Sequence, residues 1–102
     1  MKINSILIAN RGEIACRIIR TANEMGIKTI AVYEEADSNA TFVSMSDVAV
    51  KLKNGYLDAD EIVNAAKKTG ADAIHPGYGF LSENSIFARK VIRNNIIWIG
   101  PT

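Results

Sequence analysis

The chain has 102 residues, of which 48% are hydrophobic and 23% charged, so we treat residues 1–102 as one globular domain. A net charge of +1 with scattered Lys and Arg supplies no field for binding nucleic acid or anionic lipid. Cys16 is the single cysteine, which excludes an intrachain disulfide, and the apolar runs are too short to cross a bilayer. We therefore expect a cytoplasmic protein with no membrane partner.

Short apolar segments alternate with segments of helical periodicity along the chain. Strands are predicted at residues 3–9, 28–33, 47–52, 71–74 and 96–99. Helices are predicted at residues 13–25, 41–45 (a single turn), 58–69 and 86–93. Such alternation is typical of βαβ units. The predicted fold class is α/β: a three-layer Rossmann-like domain with a parallel sheet of about five strands.

The first helix is predicted to have one apolar and one charged face. The apolar positions recur at helical spacing: Ile14, Ala15, Ile18, Ile19, Ala22 and Met25. On the other face, Glu13–Arg17 and Arg20–Glu24 have the i,i+4 spacing of weak ion pairs. Cys16 is predicted to pack in or beside the core, since nothing in the sequence indicates a reactive thiol.

The stretch HPGYGFLSEN, residues 75–84, joins the fourth strand to the last helix and carries the strongest candidate site. Gly77 and Gly79 permit positive φ on both sides of Tyr78, so the backbone can turn sharply and present that ring. Loops at the carboxyl ends of strands are where open α/β sheets bind ligands. The alternative is a tight turn in which Tyr78 and Phe80 pack as core.

The same stretch also contains polar side chains with simpler interpretations. Ser82 is a predicted N-cap, and Glu83 is predicted in the first helical turn, where its charge suits the helix dipole. The alternative for Glu83 is an ion pair across the cleft. His75 has no second His or Cys spaced to share a metal, so a structural role is favoured and no metal ligand is predicted. Ser82 and Ser85 have no nearby base, and no catalytic residue is predicted in this chain. The third helix begins with Asp58 and Glu61, which predict a capping box.

The turn Asn10-Arg11-Gly12-Glu13 joins the first strand to the first helix. A dinucleotide site would need three glycines in a G-x-G-x-x-G pattern, and this turn has one. Glu34 lies where a ribose-binding acid would sit, but the failed glycine pattern argues against nucleotide binding by this domain alone. We therefore predict that the turn docks onto a neighbouring domain.

Two stretches, IANRGEIA at residues 8–15 and HPGYGFLSEN at residues 75–84, resemble the N-terminal subdomain of biotin carboxylases, and the likeness runs over about residues 2–101. The resemblance implies a pre-ATP-grasp fold and a place in acetyl-CoA, propionyl-CoA, methylcrotonyl-CoA, pyruvate or urea carboxylases. It places four residues beside biotin in the active-site cleft: Tyr78, Gly79, Phe80 and Glu83. The ring of Tyr78 is implied to lie near the ureido group of biotin. The resemblance places a second set at a homodimer interface: Arg17, Arg20 and Glu24.

The resemblance implies a ligase that uses MgATP and bicarbonate to carboxylate biotin on a carrier domain. The groups that grip ATP and Mg²⁺ and that carry out carboxylation lie in later parts of that family. We therefore expect this chain to bind no cofactor tightly and to be inactive alone, with the rest of the carboxylase, the biotin carrier and a second copy as partners. An isolated subdomain is also expected to expose an apolar patch and to self-associate.

The middle of the chain departs from the family pattern. Residues 42–49 read FVSMSDVA where relatives have H-V-x-x-A-D-E-A, and the loop over residues 51–57 is shorter than usual. Two alternative functions stay open beside the carboxylase: a non-catalytic binding or assembly module of the same fold, and the equivalent domain of another ATP-grasp ligase. The acyl acceptor is not encoded in this stretch.

Overall fold

The computed structural model describes residues 2–101 and contains one sheet of five parallel strands. The strands are β1 (Ser5–Ile8), β2 (Lys28–Tyr33), β3 (Val48–Lys51), β4 (Ala73–His75) and β5 (Ile97–Trp98). Their order across the sheet is β3-β2-β1-β4-β5, and every neighbouring pair is parallel. The predicted α/β fold with a five-stranded parallel sheet is confirmed.

All four predicted helices are present, with small shifts at their ends. They are α1 (Gly12–Glu24), α2 (Thr41–Met45), α3 (Ala59–Thr69) and α4 (Ser85–Arg93), and a 3₁₀ turn lies at Glu35–Asp37. Between residues 2 and 101, no helix combines the length and the apolar composition needed to span a membrane.

The sheet lies between two hydrophobic cores because successive strand residues point to opposite faces. Leu7 of β1 contributes to the core shared with α3 and α4, together with Ile30 of β2. Its neighbours Ile6 and Ile8 contribute to the core shared with α1 and α2. The strand is buried on both faces, as its continuous apolar sequence predicts.

The order in which strands are added to the sheet reverses between β1 and β4, although all strands stay parallel. This reversal of strand order positions the candidate site. From β1 the chain builds outward through β2 and β3, and it then returns to pair β4 with the opposite edge of β1. Ile8 pairs with His75, and the amide of Ala9 donates to the His75 carbonyl at 2.9 Å. The segments that follow β1 and β4 therefore leave the sheet side by side, at the crevice where doubly wound folds bind ligands.

Four of the five predicted strands start early, and before β3 and β4 an aspartate side chain binds the backbone where the strand was predicted to begin. The carboxylate of Asp47 accepts from the amide of Thr29 at 2.8 Å. The carboxylate of Asp72 accepts from the amides of Asn4 and Ser5 at 2.8 and 3.1 Å. These contacts continue the sheet with side-chain oxygens, so β3 and β4 begin after each aspartate.

Half of the predicted capping box at α3 forms. The Asp58 side chain accepts from the amide of Glu61 at 3.0 Å, which caps the helix. The Glu61 carboxylate accepts instead from the amides of Lys53 and Asn54, at 2.6 and 2.9 Å. Glu61 therefore fixes the turn that follows β3 rather than closing the box.

The surface of α1 differs from the prediction in two ways. Neither predicted ion pair, Glu13–Arg17 nor Arg20–Glu24, is among the salt bridges formed within residues 2–101. Met25, predicted on the apolar face, caps the helix and is 68% exposed. Cys16 is buried in the core, as predicted.

Candidate functional site

Two segments form the carboxyl edge of the sheet at its reversal: the β1 loop (residues 9–11) and the β4 loop (residues 76–84). Asn10 joins them, and its side chain is 1% exposed. Its Nδ2 donates to the carbonyls of Pro76 at 2.8 Å and Tyr78 at 2.5 Å. Its Oδ1 accepts from the amide of Arg11 at 2.8 Å. One carboxamide thus connects the two stretches on which the family resemblance rests.

The β4 loop holds its aromatic rings outward. Tyr78 is 76% exposed and Phe80 is 44% exposed, so the interpretation of both rings as core is wrong. Gly77 and Gly79 have φ values of 65° and 69°, as their predicted role requires, and Phe80 itself lies at 49°. The Phe80 ring packs on the ring of Tyr56, with centroids 5.5 Å apart.

The start of α4 corrects the predictions for Ser82 and Glu83. The N-cap is Asn84, whose Oδ1 accepts from the amide of Phe87 at 2.9 Å. Ser82 is buried two residues before the cap, in a turn in which its amide donates to the Gly79 carbonyl at 2.9 Å. Glu83 is exposed outside the helix, and it forms no salt bridge within residues 2–101. The prediction that Glu83 lies in the first turn of α4 and stabilises the helix dipole is therefore wrong.

Arg11 of the predicted docking turn is held by a buried carboxylate. Its Nε and Nη2 donate to the two oxygens of Asp37 at 2.7 and 2.6 Å, a bidentate pair. The hydroxyl of Tyr56 donates to the same carboxylate at 2.5 Å. The Arg11 guanidinium and the Tyr56 hydroxyl hold the pKa of Asp37 near 2, while burial and then Asp37 raise the pKa of Tyr56.

Sequence reasoning missed Asp37 and Tyr56. Their positions in the sequence could have indicated the contact, since Asp37 follows β2, Tyr56 follows β3 and Arg11 follows β1. Segments that follow parallel strands lie at the same edge of the sheet. Glu34 also lies there, and its Oε1 accepts from the amide of Tyr56 at 3.3 Å. The Glu34 carboxylate, which lies where a ribose-binding acid would sit, thus forms its hydrogen bond within the domain.

Within the predicted docking turn, the four residues have different surroundings. The amide of Asn10 is buried and used inside the chain, and Arg11 is half exposed but ion-paired. Gly12 and Glu13 are exposed. Docking onto another domain stays a prediction, and it depends on the exposed surfaces of Arg11, Gly12 and Glu13.

His75 has the structural surroundings that its isolation in the sequence favours. Its Nδ1 accepts from the amide of Gly77 at 3.1 Å, and burial lowers its pKa. In the part of the chain that the structure describes, no group of three or more His, Cys, Asp or Glu side chains is arranged to hold a metal ion.

An apolar groove of about 650 Å³ runs between α1 and the end of the chain after β5. Aliphatic side chains dominate its lining: Ile3, Ile14, Ile18, Met25, Ile27 and Ile99. We call it the α1 groove. Tyr78 and Gly77 line it as well, so the candidate site and the groove form a continuous surface.

The three residues predicted at a dimer surface, Arg17, Arg20 and Glu24, are all exposed on α1. Arg17 also borders the α1 groove. The structure therefore leaves this charged face available to a partner, beside an apolar one.

Asp37→Asn is expected to destabilise the domain by roughly 1–2 kcal/mol at neutral pH, because the carboxylate has a pKa of about 2 against an ordinary 3.8. The native state favours the charged form, so this contribution is present above the ordinary pKa and is lost as the pH falls towards 2. Urea titrations between about pH 7 and pH 2 measure it, and the Asp37→Asn variant should lose less stability on acidification than the parent.

Asp60→Asn is the matched control, since Asp60 forms an exposed pair with Lys90. Its effect should stay within about 0.5 kcal/mol at every pH. An Asp37→Asn variant whose stability falls in parallel with the parent would show that other groups cause the acid sensitivity.

Residues 2–102 match the sequence profile of the family described as "Biotin carboxylase, N-terminal domain". The chain is 57% identical over 104 residues to the mitochondrial methylcrotonoyl-CoA carboxylase subunit alpha of Dictyostelium discoideum, covering 97% of this chain and 15% of that protein. The chain thus spans about a seventh of the length of the curated relatives that it matches.

Solved structures agree with the sequence comparison. The complete pyruvate carboxylase of Rhizobium etli superposes with a TM-score of 0.96 at 43% identity, over 100% of this chain and 11% of that one. The biotin carboxylase domain dimer of Hydrogenobacter thermophilus 2-oxoglutarate carboxylase superposes with a TM-score of 0.95 at 48% identity, over 99% of this chain and 23% of that one. On the sequence profile, the two loops and the shared fold, this chain belongs to the biotin carboxylase N-terminal domain family.

Proposed function

We propose that this chain is the N-terminal part of a biotin-dependent carboxylase, a ligase that uses MgATP and bicarbonate to carboxylate biotin on a carrier domain. Its role is to supply one wall of the active-site cleft. The observation that carries the proposal is the outward Tyr78 ring on the β4 loop, at the reversal of the sheet. The related Hydrogenobacter thermophilus structure, a biotin carboxylase domain dimer with MgADP and bicarbonate, supports the reaction class.

The β4 loop fits the bicyclic ring of biotin better than it fits a nucleotide. A tyrosine offers an apolar face and one hydroxyl, which suits a ligand with an apolar ring and a polar ureido group. The space beside Gly79 is open, with no atom within 4 Å of where a Cβ would lie. Tyr78, Gly79, Phe80 and Glu83 are all exposed and line one edge of the sheet, so we keep them as the proposed biotin wall.

ATP and Mg²⁺ do not fit the described residues. The β1 loop has no glycine-rich backbone to approach phosphates, and its one arginine is bound to Asp37. Within residues 2–101 no carboxylate cluster is arranged for a divalent ion. We propose that both are held by the remainder of the enzyme, and that this chain alone is inactive. We also propose a cytoplasmic location, since a chain with a single cysteine forms no intrachain disulfide and suits a reducing compartment.

Complementation tests the proposed function. The chain is mixed with a separately expressed remainder of a biotin carboxylase, and biotin- and bicarbonate-dependent ATP cleavage is measured. We expect activity from the mixture and none from either part. Tyr78→Ala should lower kcat/KM for free biotin by about tenfold, and Tyr78→Phe by less, because the ring supplies most of the contact. Two folded, associated parts without activity would favour a non-catalytic assembly module instead.

We propose further that the α1 groove receives the remainder of the carboxylase. A groove of about 650 Å³ lined by aliphatic side chains is unusual on a free surface of a small domain. More than three quarters of the Hydrogenobacter thermophilus biotin carboxylase domain lies outside the stretch that this chain covers. Because Tyr78 lines the groove, a partner seated there would also close the proposed biotin wall.

Met25→Gln is expected to weaken association with the remainder by about tenfold in Kd, because it removes an apolar contact that the partner would bury while keeping the length of the side chain. Isothermal titration calorimetry measures this. Ile92→Gln is the matched control: Ile92 is an exposed aliphatic residue (58%, against 68% for Met25), but it lies on α4, outside the groove. Equal effects of the two substitutions would overturn the docking assignment.

We propose that the exposed α1 face formed by Arg17, Arg20 and Glu24 takes part in dimerisation of the complete carboxylase. Arg20→Glu should weaken the dimer by about tenfold or more, because it sets like charges against the partner surface. Sedimentation velocity of the complete enzyme measures the effect. Arg89→Glu, an exposed reversal on α4, serves as the control. An unchanged dimer in the Arg20→Glu variant would remove this face from the interface.

A further inference from the structure

We infer that Asn10 is a positioning residue for biotin carboxylation, acting through the backbone of Tyr78. The inference rests on the proposed function, because it assigns a role to the residue that holds the proposed biotin wall. Asn10 belongs to the β1 loop, and nothing in its own surroundings places it against a ligand, since its side chain is 1% exposed.

The carboxamide of Asn10 is fully used. Its two N–H groups donate to the carbonyls of Pro76 and Tyr78, at 2.8 and 2.5 Å, and its oxygen accepts from Arg11. The two carbonyls lie on either side of Gly77, so the chain wraps around Nδ2. Within residues 2–101, both carbonyls receive their hydrogen bonds from Asn10 alone.

The packing around this carboxamide requires glycine at position 77. A Cβ on Gly77 would lie 2.6 Å from Asn10 Nδ2 and 2.9 Å from a methyl group of Ile14. The β4 loop can therefore approach Asn10 only with glycine at position 77. Aspartate at position 10 would keep the shape and the acceptor for Arg11 but would set an oxygen against two carbonyl oxygens.

Tyr78 depends on this contact because its side chain has little else to hold it. The ring is 76% exposed, so packing does not fix it, and the backbone alone sets the position and direction of the bond from which the side chain extends. Asn10 binds the carbonyl of that same residue. A displacement of about 1 Å at a reacting group can cost roughly 100-fold in rate, so a backbone clamp of this kind has a catalytic consequence.

A double-mutant cycle in the complete carboxylase tests the inference, with Asn10→Asp, Tyr78→Ala and the double variant. We expect Asn10→Asp to lower kcat/KM for free biotin by about tenfold or more while KM for ATP stays unchanged. In the Tyr78→Ala background the same substitution should change kcat/KM by less than about twofold, because the ring it positions is gone.

Each outcome of the cycle has one meaning. Full additivity of the two substitutions, or a loss that affects ATP and biotin equally, would overturn the positioning role and leave the proposed function standing. No effect of Tyr78→Ala alone would remove Tyr78 from the proposed biotin wall, whereas a parent enzyme without biotin-dependent ATP cleavage would overturn the proposed function itself. Asn94→Asp is the matched control, because Asn94 also donates its amide to a backbone carbonyl, that of Lys90 at 2.7 Å, but next to the C-terminus of α4.

A measurement on the unaltered chain covers the case in which the Asn10→Asp variant fails to fold. The two side-chain amide protons of Asn10 should exchange with solvent at least about 100-fold more slowly than those of the exposed Asn64, because both are buried and hydrogen-bonded. Nitrogen-15 NMR of the chain measures both rates. Equally fast exchange would show that the clamp is open in solution and would overturn the inference.

Discussion

The structure depends on the pairing of β1 with β4 at the reversal of the sheet. This pairing brings together two loops that are 66 residues apart in the chain, and the buried amide of Asn10 then joins them. Because the carbonyls that it binds flank Gly77, the hydrogen bonds determine the path of the β4 loop as well as its distance from β1. The outward position of Tyr78 follows from that path.

The carboxyl edge of the sheet is divided into two parts with different properties. Near the ends of β2 and β3, polar groups form hydrogen bonds with one another: Arg11, Asp37, Tyr56 and Glu34. This part therefore stabilises the domain and offers few free polar groups. Beside β4, exposed aromatic side chains on a glycine-rich loop remain available. A Rossmann-like domain without a nucleotide fingerprint can therefore still expose aromatic groups at the crevice where doubly wound folds bind ligands.

Helix α1 serves the interior and the exterior of the domain. Ala15, Cys16 and Ile19 close the core against the sheet, while the remaining faces carry the α1 groove and an exposed charged surface. These two surfaces adjoin the β4 loop through Tyr78. One helix therefore links the stability of the domain to the surfaces by which we propose it meets the rest of a carboxylase.

The sequence by itself determined the number, type and order of the elements, because strand and helix periodicities are local properties of the chain. It also identified the two stretches that indicate the family, and the glycines beside Tyr78 that need positive φ. Two local predictions were wrong: Asn84 rather than Ser82 caps α4, because Ser82 is used in a turn with Gly79, and Met25 lies outside the core at the end of α1.

Only the tertiary structure decided which polar groups meet. Asp37 and Tyr56 carry no motif, and their contact with Arg11 exists because parallel strands bring their carboxyl ends to one edge. The role of Asn10 is equally invisible in the sequence, where it is one letter of a family motif. Its function depends on a carbonyl 68 residues away, and such a contact is created by the strand order rather than by any local preference.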